Sequence, residues 1–346
     1  MSDQSINSWW VVFAFGVLLP GCQMTPEVES TLEPAPGKVV QLLDSIQAAQ
    51  QLQTDKKEGF FEEISPLDIR LQMGISLDST IAAPVLQKNY LSFLARQAMP
   101  LNAKDRALLK ATLEQAYAFC DSLKPGLLPD TVLLGKMQTD IFGPSVFFTR
   151  ERAIFIPQNE LYEGNRALLQ VMLHELFHII SRYNPALRTE LYALIGYQRL
   201  HAPLHFPKPL LERRLLNPDG ISHNYAIELA DATGQTKHYI SVITADTNDT
   251  YPEKRYFDYI DFRLYPLLPT DTGYTVQPQG VQPEAMPGFF EQIGDNTGYI
   301  IHPDEILADN FVLLVLRHAN IKGYGNRPRS KRGEALLQQM EGILKK

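Results

Sequence analysis

Leu173-His174-Glu175-Leu176-Phe177-His178-Ile179-Ile180 sets two histidines four residues apart inside an apolar run. On an α-helix, residues four apart share a face, one turn from each other. His174 and His178 can therefore aim two imidazoles at one cation. Glu175 sits one step round, where it can take a proton from water without itself being a ligand. Two neutral nitrogens to hold a metal and one carboxylate to act as general base are the parts a zinc hydrolase needs. The chain has only eight histidines, so chance yields H-E-x-x-H on the order of one time in a hundred. The spacing is accordingly read as chemistry.

The flanks support a helix. Asn165-Arg166-Ala167-Leu168-Leu169-Gln170-Val171-Met172 leads into the motif with strong helix formers, and Asn165 is the expected N-cap. Leu169, Met172, Leu173, Leu176, Phe177 and Ile180 recur at helical spacing. Asn184-Pro185 ends the run, because the residue before proline is pushed out of the helical region. A core helix carrying these polar groups for no purpose would bury a glutamate without a partner, which is costly.

This stretch resembles the zincin metallopeptidases. The metzincin continuation H-x-x-G-x-x-H is absent, since Ile179-Ile180-Ser181-Arg182-Tyr183-Asn184 follows. A second informative run is Tyr299-Ile300-Ile301-His302-Pro303-Asp304-Glu305-Ile306-Leu307-Ala308-Asp309. Pro303 suits the first turn of a helix, as do the acidic residues after it. Glu305 and Asp309 share a helical face. Their E-x-x-x-D spacing is similar to the second motif of the gluzincins. That resemblance implies Glu305 as third zinc ligand and Asp309 as acceptor from the far nitrogen of His174, fixing its tautomer. His302, Asp304 and His223 compete for the third-ligand role. The gap of 127 positions from His178 to Glu305 requires an insertion between the two helices. The signature G-x-M-E-N is absent, so no aminopeptidase assignment follows. The resemblance covers two helices.

The fold class expected is α+β: a zincin-like domain over residues 39–346, its active-site helix against a small sheet, with a β-rich insertion at about 221–300. Length (346 residues), 45% hydrophobic and 10% aromatic content indicate a globular chain with a full core. A net charge of −7 argues against nucleic-acid binding. Positive charge gathers between Arg327 and Arg332 and at Lys345-Lys346, and reads as a solvated tail.

The N-terminus reads as a targeting segment. Trp9 to Leu19 is apolar but too short to span a bilayer comfortably, and Leu19-Pro20-Gly21-Cys22 follows. This resembles a bacterial lipoprotein box, which implies lipidation at Cys22 and anchorage without a spanning helix. Gln23 after the cysteine implies sorting to the outer membrane, facing the periplasm. Residues 23–38, with Pro26, Pro34 and Pro36, read as a flexible tether.

Further along, helices are expected over 39–52, 78–94, 103–123 and 185–197, with Cys120 in the core of the third. Two β-like runs, 145–149 and 153–157, precede the motif helix. Zincins place an edge strand beside the cleft, and Ala153 to Ile156 is the candidate for pairing with a peptide substrate. Asn217-Pro218-Asp219-Gly220 reads as a turn. Strands are expected at 223–228, 238–245 and 256–265, and a long surface loop over 266–298.

The expected function is zinc-dependent hydrolysis of a peptide or protein, with Zn²⁺ held by His174, His178 and Glu305, and Glu175 as general base. Tyr299, His302, His223 and Tyr225 are candidates for stabilising the oxyanion. A non-catalytic exported binding protein, or a zinc amidase acting on cell-wall material, are the alternatives.

Overall fold

The computed structural model describes residues 30–346 apart from 78–79, 232, 247–255 and 322–329. The targeting segment with Cys22 and the basic stretch at 327–329 lie outside the described residues. In chain order the elements are strands β1 (Thr31–Ala35) and β2 (Lys38–Leu42), helices α1 (Ser45–Leu52), α2 (Phe60–Glu63), α3 (Pro66–Met73) and α4 (Ala83–Gln97), strand β3 (Ala98–Met99), helix α5 (Ala103–Leu123), and strands β4 (Thr131–Met137), β5 (Phe148–Arg150) and β6 (Ala153–Pro157). Helices α6 (Leu168–Tyr183) and α7 (Pro185–Leu194) follow, then β7 (Tyr197–Arg199), β8 (Leu204–His205), α8 (Lys208–Leu211), β9 (Arg214–Leu215), β10 (Tyr225–Ala230), β11 (Thr236–Ala245), β12 (Ile260–Thr270) and β13 (Gly273–Val276). The chain ends with α9 (Pro287–Ile293), α10 (Pro303–His318) and α11 (Lys331–Leu344). The fold is mixed α+β.

One sheet runs β1-β2-β4-β6-β5, with β3 also on β4; β2, β4 and β6 are parallel, and β5 is antiparallel to β6 at the outer edge. Residues alternate between two cores along β6. Ile154 and Ile156 face the core of α5, α6 and α10, while Ala153 and Phe155 face a second core with Phe60, Tyr90 and Phe148. Burial on both faces explains its unbroken apolar run. Ala153 to Ile156 is therefore an interior strand, not the expected edge; that place belongs to β5. The second sheet runs β7-β10-β11-β12-β13-β8, with β9 also on β11.

Four other expectations are corrected. The tether was expected to reach residue 38, but β1 and β2 form a hairpin that joins the first sheet. Pro36-Gly37 reads as flexible yet forms its two-residue turn, with Gly37 at φ +73°. Residues 39–52 are not one helix. Val40 and Leu42 alternate inward as strand, and α1 starts only after Asp44, whose side chain and Gln47 make a reciprocal cap. The loop expected over 266–298 holds the end of β12, β13 and α9, with Phe289 and Ile293 buried; Pro287 starts α9 rather than breaking structure. The β-rich section begins at Tyr197 and its last strand ends at Val276, so it lies earlier in the chain than 221–300. Among the described residues no helix is long and apolar enough to cross a membrane.

Candidate metal centre

Helix α6 buries Leu168, Met172, Leu173, Leu176, Phe177 and Ile180 in the main core. The same packing fixes the opposite face, which carries His174 and His178. Asn165 does not cap it: α6 begins after Ala167, whose amide donates to Asn165 Oδ1 at 3.0 Å. Helix α10 lies against α6, with Phe311 5.4 Å from Phe177 between ring centroids. Pro303 opens α10, and His302 Nδ1 accepts the Asp304 amide at 3.2 Å as its N-cap. The first turn of α10 thereby presents Asp304 and Glu305, and the second turn Asp309, to the histidine face.

The ligating atoms of His174, His178 and Glu305 all lie within 4.8 Å of one another. Glu305 Oε2 is 2.9 Å from His174 Nε2 and 3.4 Å from His178 Nε2. The far nitrogens are both held by carboxylates. His174 Nδ1 lies 3.0 Å from Asp309 Oδ1, and His178 Nδ1 lies 2.7 Å from Asp304 Oδ2. Thr297 Oγ1 donates to the other oxygen of Asp309. Asp304 Oδ1 accepts from Ser181 Oγ at 2.5 Å and the Tyr192 hydroxyl at 2.9 Å. Both Nε2 atoms are thus directed at the carboxylate oxygen between them. His178 Nε2 and Glu175 Oε2 are buried and make no hydrogen bond.

The charges explain the titration. Burial alone would lower both imidazoles, but the Asp309 and Glu305 carboxylates overcome it and push His174 up to about 10. For His178 the charges of Glu305 and Asp219 do the same. Burial raises Glu175 to about 8, with the nearby Asp219 charge adding to it. Burial would also raise Glu305, yet the two imidazoles hold it well below the usual carboxylate range. So many carboxylates around two histidines make a donor set that demands positive charge.

The turn Asn217–Gly220 completes the centre from the β-rich section. Asn217 Nδ2 donates to Glu305 Oε1 at 2.7 Å, which leaves Oε2 to face the histidines. Asp219 lies beside Glu175 and His178, its ligating atom within 4.8 Å of theirs. Its Oδ1 accepts from the Thr149 amide at 2.6 Å and the Thr149 hydroxyl at 2.5 Å. Gly220 is tight against the His302 ring, and an added Cβ would come within 2.2 Å of it. Arg182, one turn beyond His178, ties this turn to α6. It donates to the Asp219 carbonyl at 3.4 Å, to Thr149 Oγ1 at 2.8 Å and to buried Glu58 at 2.7 Å.

A cavity of about 430 Å³ opens on the centre, lined by His174, Glu175, Asp219, Tyr299, Glu305 and Asp309. Val146, Phe147, Val171, Phe257 and Val312 add apolar walls. Tyr299 stacks near His174, with ring centroids 6.2 Å apart and planes at 28°.

The sequence-predicted residues His174, Glu175, His178, Glu305 and Asp309 all meet at this one place. Of the competing third ligands, Asp304 stands behind His178, His302 caps α10, and His223 lines a separate cavity with Phe206 and Arg214. Tyr225 bonds Thr189 Oγ1 at 2.9 Å, so of the four oxyanion candidates only Tyr299 lines the cleft. Cys120 is buried in the core as expected. Asn217 and Asp219 were read only as turn residues; the N-P-D-G spacing was the sole signal of them. No protein-family model, curated protein or solved structure matches this chain.

Proposed function

We propose that this chain is a zinc-dependent peptidase. The observation that carries the reading is the convergence of His174, His178 and Glu305 from two helices far apart in sequence, beside an unpartnered Glu175 Oε2. Two imidazole nitrogens and one carboxylate oxygen fit zinc, and this set is the kind that leaves a coordination position open. When bound, zinc supplies Lewis acidity, which acidifies water and polarises a carbonyl.

The chain's own groups supply the rest. Glu175 takes the proton of the attacking water and passes it to the leaving amine nitrogen. It stands buried beside the Asp219 charge, and both raise its pKa above the usual carboxylate range in the metal-free centre. Asp309 and Asp304 hold the two imidazoles in the tautomer that leaves Nε2 free. Asn217 keeps one Glu305 oxygen occupied and the other available. Tyr299 offers its hydroxyl as a donor to the carbonyl oxygen as it gains charge. The apolar walls receive an apolar substrate side chain.

We also propose export, with the chain held at the membrane by a lipid on Cys22 and the catalytic domain facing the periplasm.

Metal counting by mass spectrometry on wild type and Glu305→Ala tests the centre. One zinc in the wild type and much less in the variant is the expected result. One zinc in both removes Glu305 as ligand, and none in either, after reconstitution, ends the hydrolase reading. Incubating the zinc-loaded protein with peptides and with cell-wall fragments then separates peptidase from amidase. Zinc without turnover on either leaves a binding role.

A further inference from the structure

Strand β5 is the outer strand of its sheet, and Ser145, Val146 and Phe147, which lead into it, line the cleft. An outer strand offers outward amides and carbonyls to an extended peptide. At Thr149 that offer stops. Its outward amide donates to Asp219 Oδ1 at 2.6 Å, so Asp219 closes the far end of the edge.

Asp219 is only 6% exposed and lines the same cleft. Its Oδ2 makes no hydrogen bond among the described residues. Glu175, 3% exposed, stands beside it with Oε2 unpartnered. The two guanidiniums near Asp219 both reach main-chain carbonyls: Arg182 that of Asp219 at 3.4 Å while paired with Glu58, and Arg150 that of Pro218 at 3.2 Å. Two buried carboxylates therefore look onto the closed end of the edge.

A peptide pairing antiparallel to β5 carries its amino end toward Thr149; a parallel one carries its carboxyl end there. A terminal carboxylate is repelled by the Asp219 carboxylate. A terminal ammonium is attracted, and brings three donors to oxygens that have no partner. Resting on the peptidase reading above, we infer that Asp219 binds the free α-ammonium of the substrate, so that the protein trims peptides from their amino ends. Asp219 acts in this as the residue that selects the chain terminus, while Glu175 keeps the chemistry.

The test uses the full chain, loaded with zinc, and short synthetic peptides supplied with a free or an acetylated amino end. Product masses are expected to show cleavage close to the free amino end, with acetylation slowing it by about tenfold or more, the worth of a charge-assisted hydrogen bond. Asp219→Asn keeps the acceptor for Thr149 and should bring the two peptide forms together. A second readout needs no turnover. Calorimetry on zinc-loaded Glu175→Gln should show the free form binding about tenfold more tightly, a gap that Glu175→Gln/Asp219→Asn closes. Internal cleavage with equal rates for both forms, or trimming from the carboxyl end, overturns the inference and leaves the peptidase standing. Preferential binding of the free form without cleavage upholds the ammonium site and ends the peptidase. Neither cleavage nor binding of any peptide ends both.

Discussion

Asp304 Oδ2 lies 2.7 Å from His178 Nδ1, joining the first turn of α10 to the middle of α6. The bond leaves Nε2 on the opposite side of the ring, toward Glu305. Burial would raise Asp304, but the hydrogen bond and charge of His178 hold it at about 2. Consecutive residues thus serve opposite sides of one imidazole, Asp304 from behind and Glu305 from in front. Asp304→Asn should weaken zinc affinity by about 10- to 100-fold, as loss of such outer partners does. A competitive chelator titration measures this. Unchanged affinity would confine Asp304 to holding Ser181 and Tyr192.

Glu175→Gln should keep a full zinc content and lower kcat by about 10²- to 10⁴-fold, the span of general-base catalysis. Metal counting and steady-state kinetics on the same preparation give both numbers. A variant that turns over normally would move the base elsewhere.

Tyr299→Phe removes one hydroxyl from the cleft and leaves the ring beside His174. The expected effect is about a 10²-fold fall in kcat, typical of losing one oxyanion donor, with KM little changed. A change in KM alone would make Tyr299 a substrate contact and no more.

Arg182 and Glu58 form a buried pair 2.7 Å apart, and Arg188 adds a second contact to Glu58 at 3.1 Å. Arg182→Met leaves Glu58 with Arg188 alone and unties Thr149 and Asp219 from α6. Breaking a buried pair costs about 3 to 5 kcal/mol. Denaturant unfolding should show that loss, and Glu58→Gln/Arg182→Met should recover part of it.

Asp68 provides a pH test away from the centre. Burial pushes its carboxyl up to about 6, against the hydrogen bonds from Gln72, Leu216 and Tyr256 and the charge of Arg214. The native state therefore holds the proton more tightly than the unfolded chain. Its contribution is fully present below pH about 4 and is lost as pH rises through 6, on the order of 3 kcal/mol in all. Asp68→Asn should flatten the stability curve between pH 4 and 7, measured by unfolding at each pH. An unaltered slope would show that Asp68 ionises freely.

The two ligand-bearing helices were legible because helical spacing and metal geometry demand the same four-residue interval. His174 with His178, and Glu305 with Asp309, each satisfy both at once. The β5 edge was not legible. Buried strands look alike in sequence, and only pairing decides which of 148–150 and 153–157 lies outside. Asn217 and Asp219 were hidden for a different reason. Polar residues around Pro218 read as a solvated turn, and their burial depends on Arg182, Thr149 and Glu305, which come from distant parts of the chain. Pro36 and Pro287 mislead in the same direction: one reads as flexible tether and the other as surface loop, where each turns or starts an ordered element.

The long section between the two helices also sets the order in which the centre can come into being. During synthesis the pair of histidines emerges 127 residues ahead of Glu305, an interval on the order of ten seconds at ordinary elongation rates. For all of that time α6 carries two imidazoles with no carboxylate from α10 to face them. Asn217 and Asp219, from the strand-rich section, arrive in between. On the zinc reading, metal capture by the complete set is thus a late event, waiting on α10. A product truncated before α10 would keep the conspicuous histidine motif and lack the means to close it around an ion.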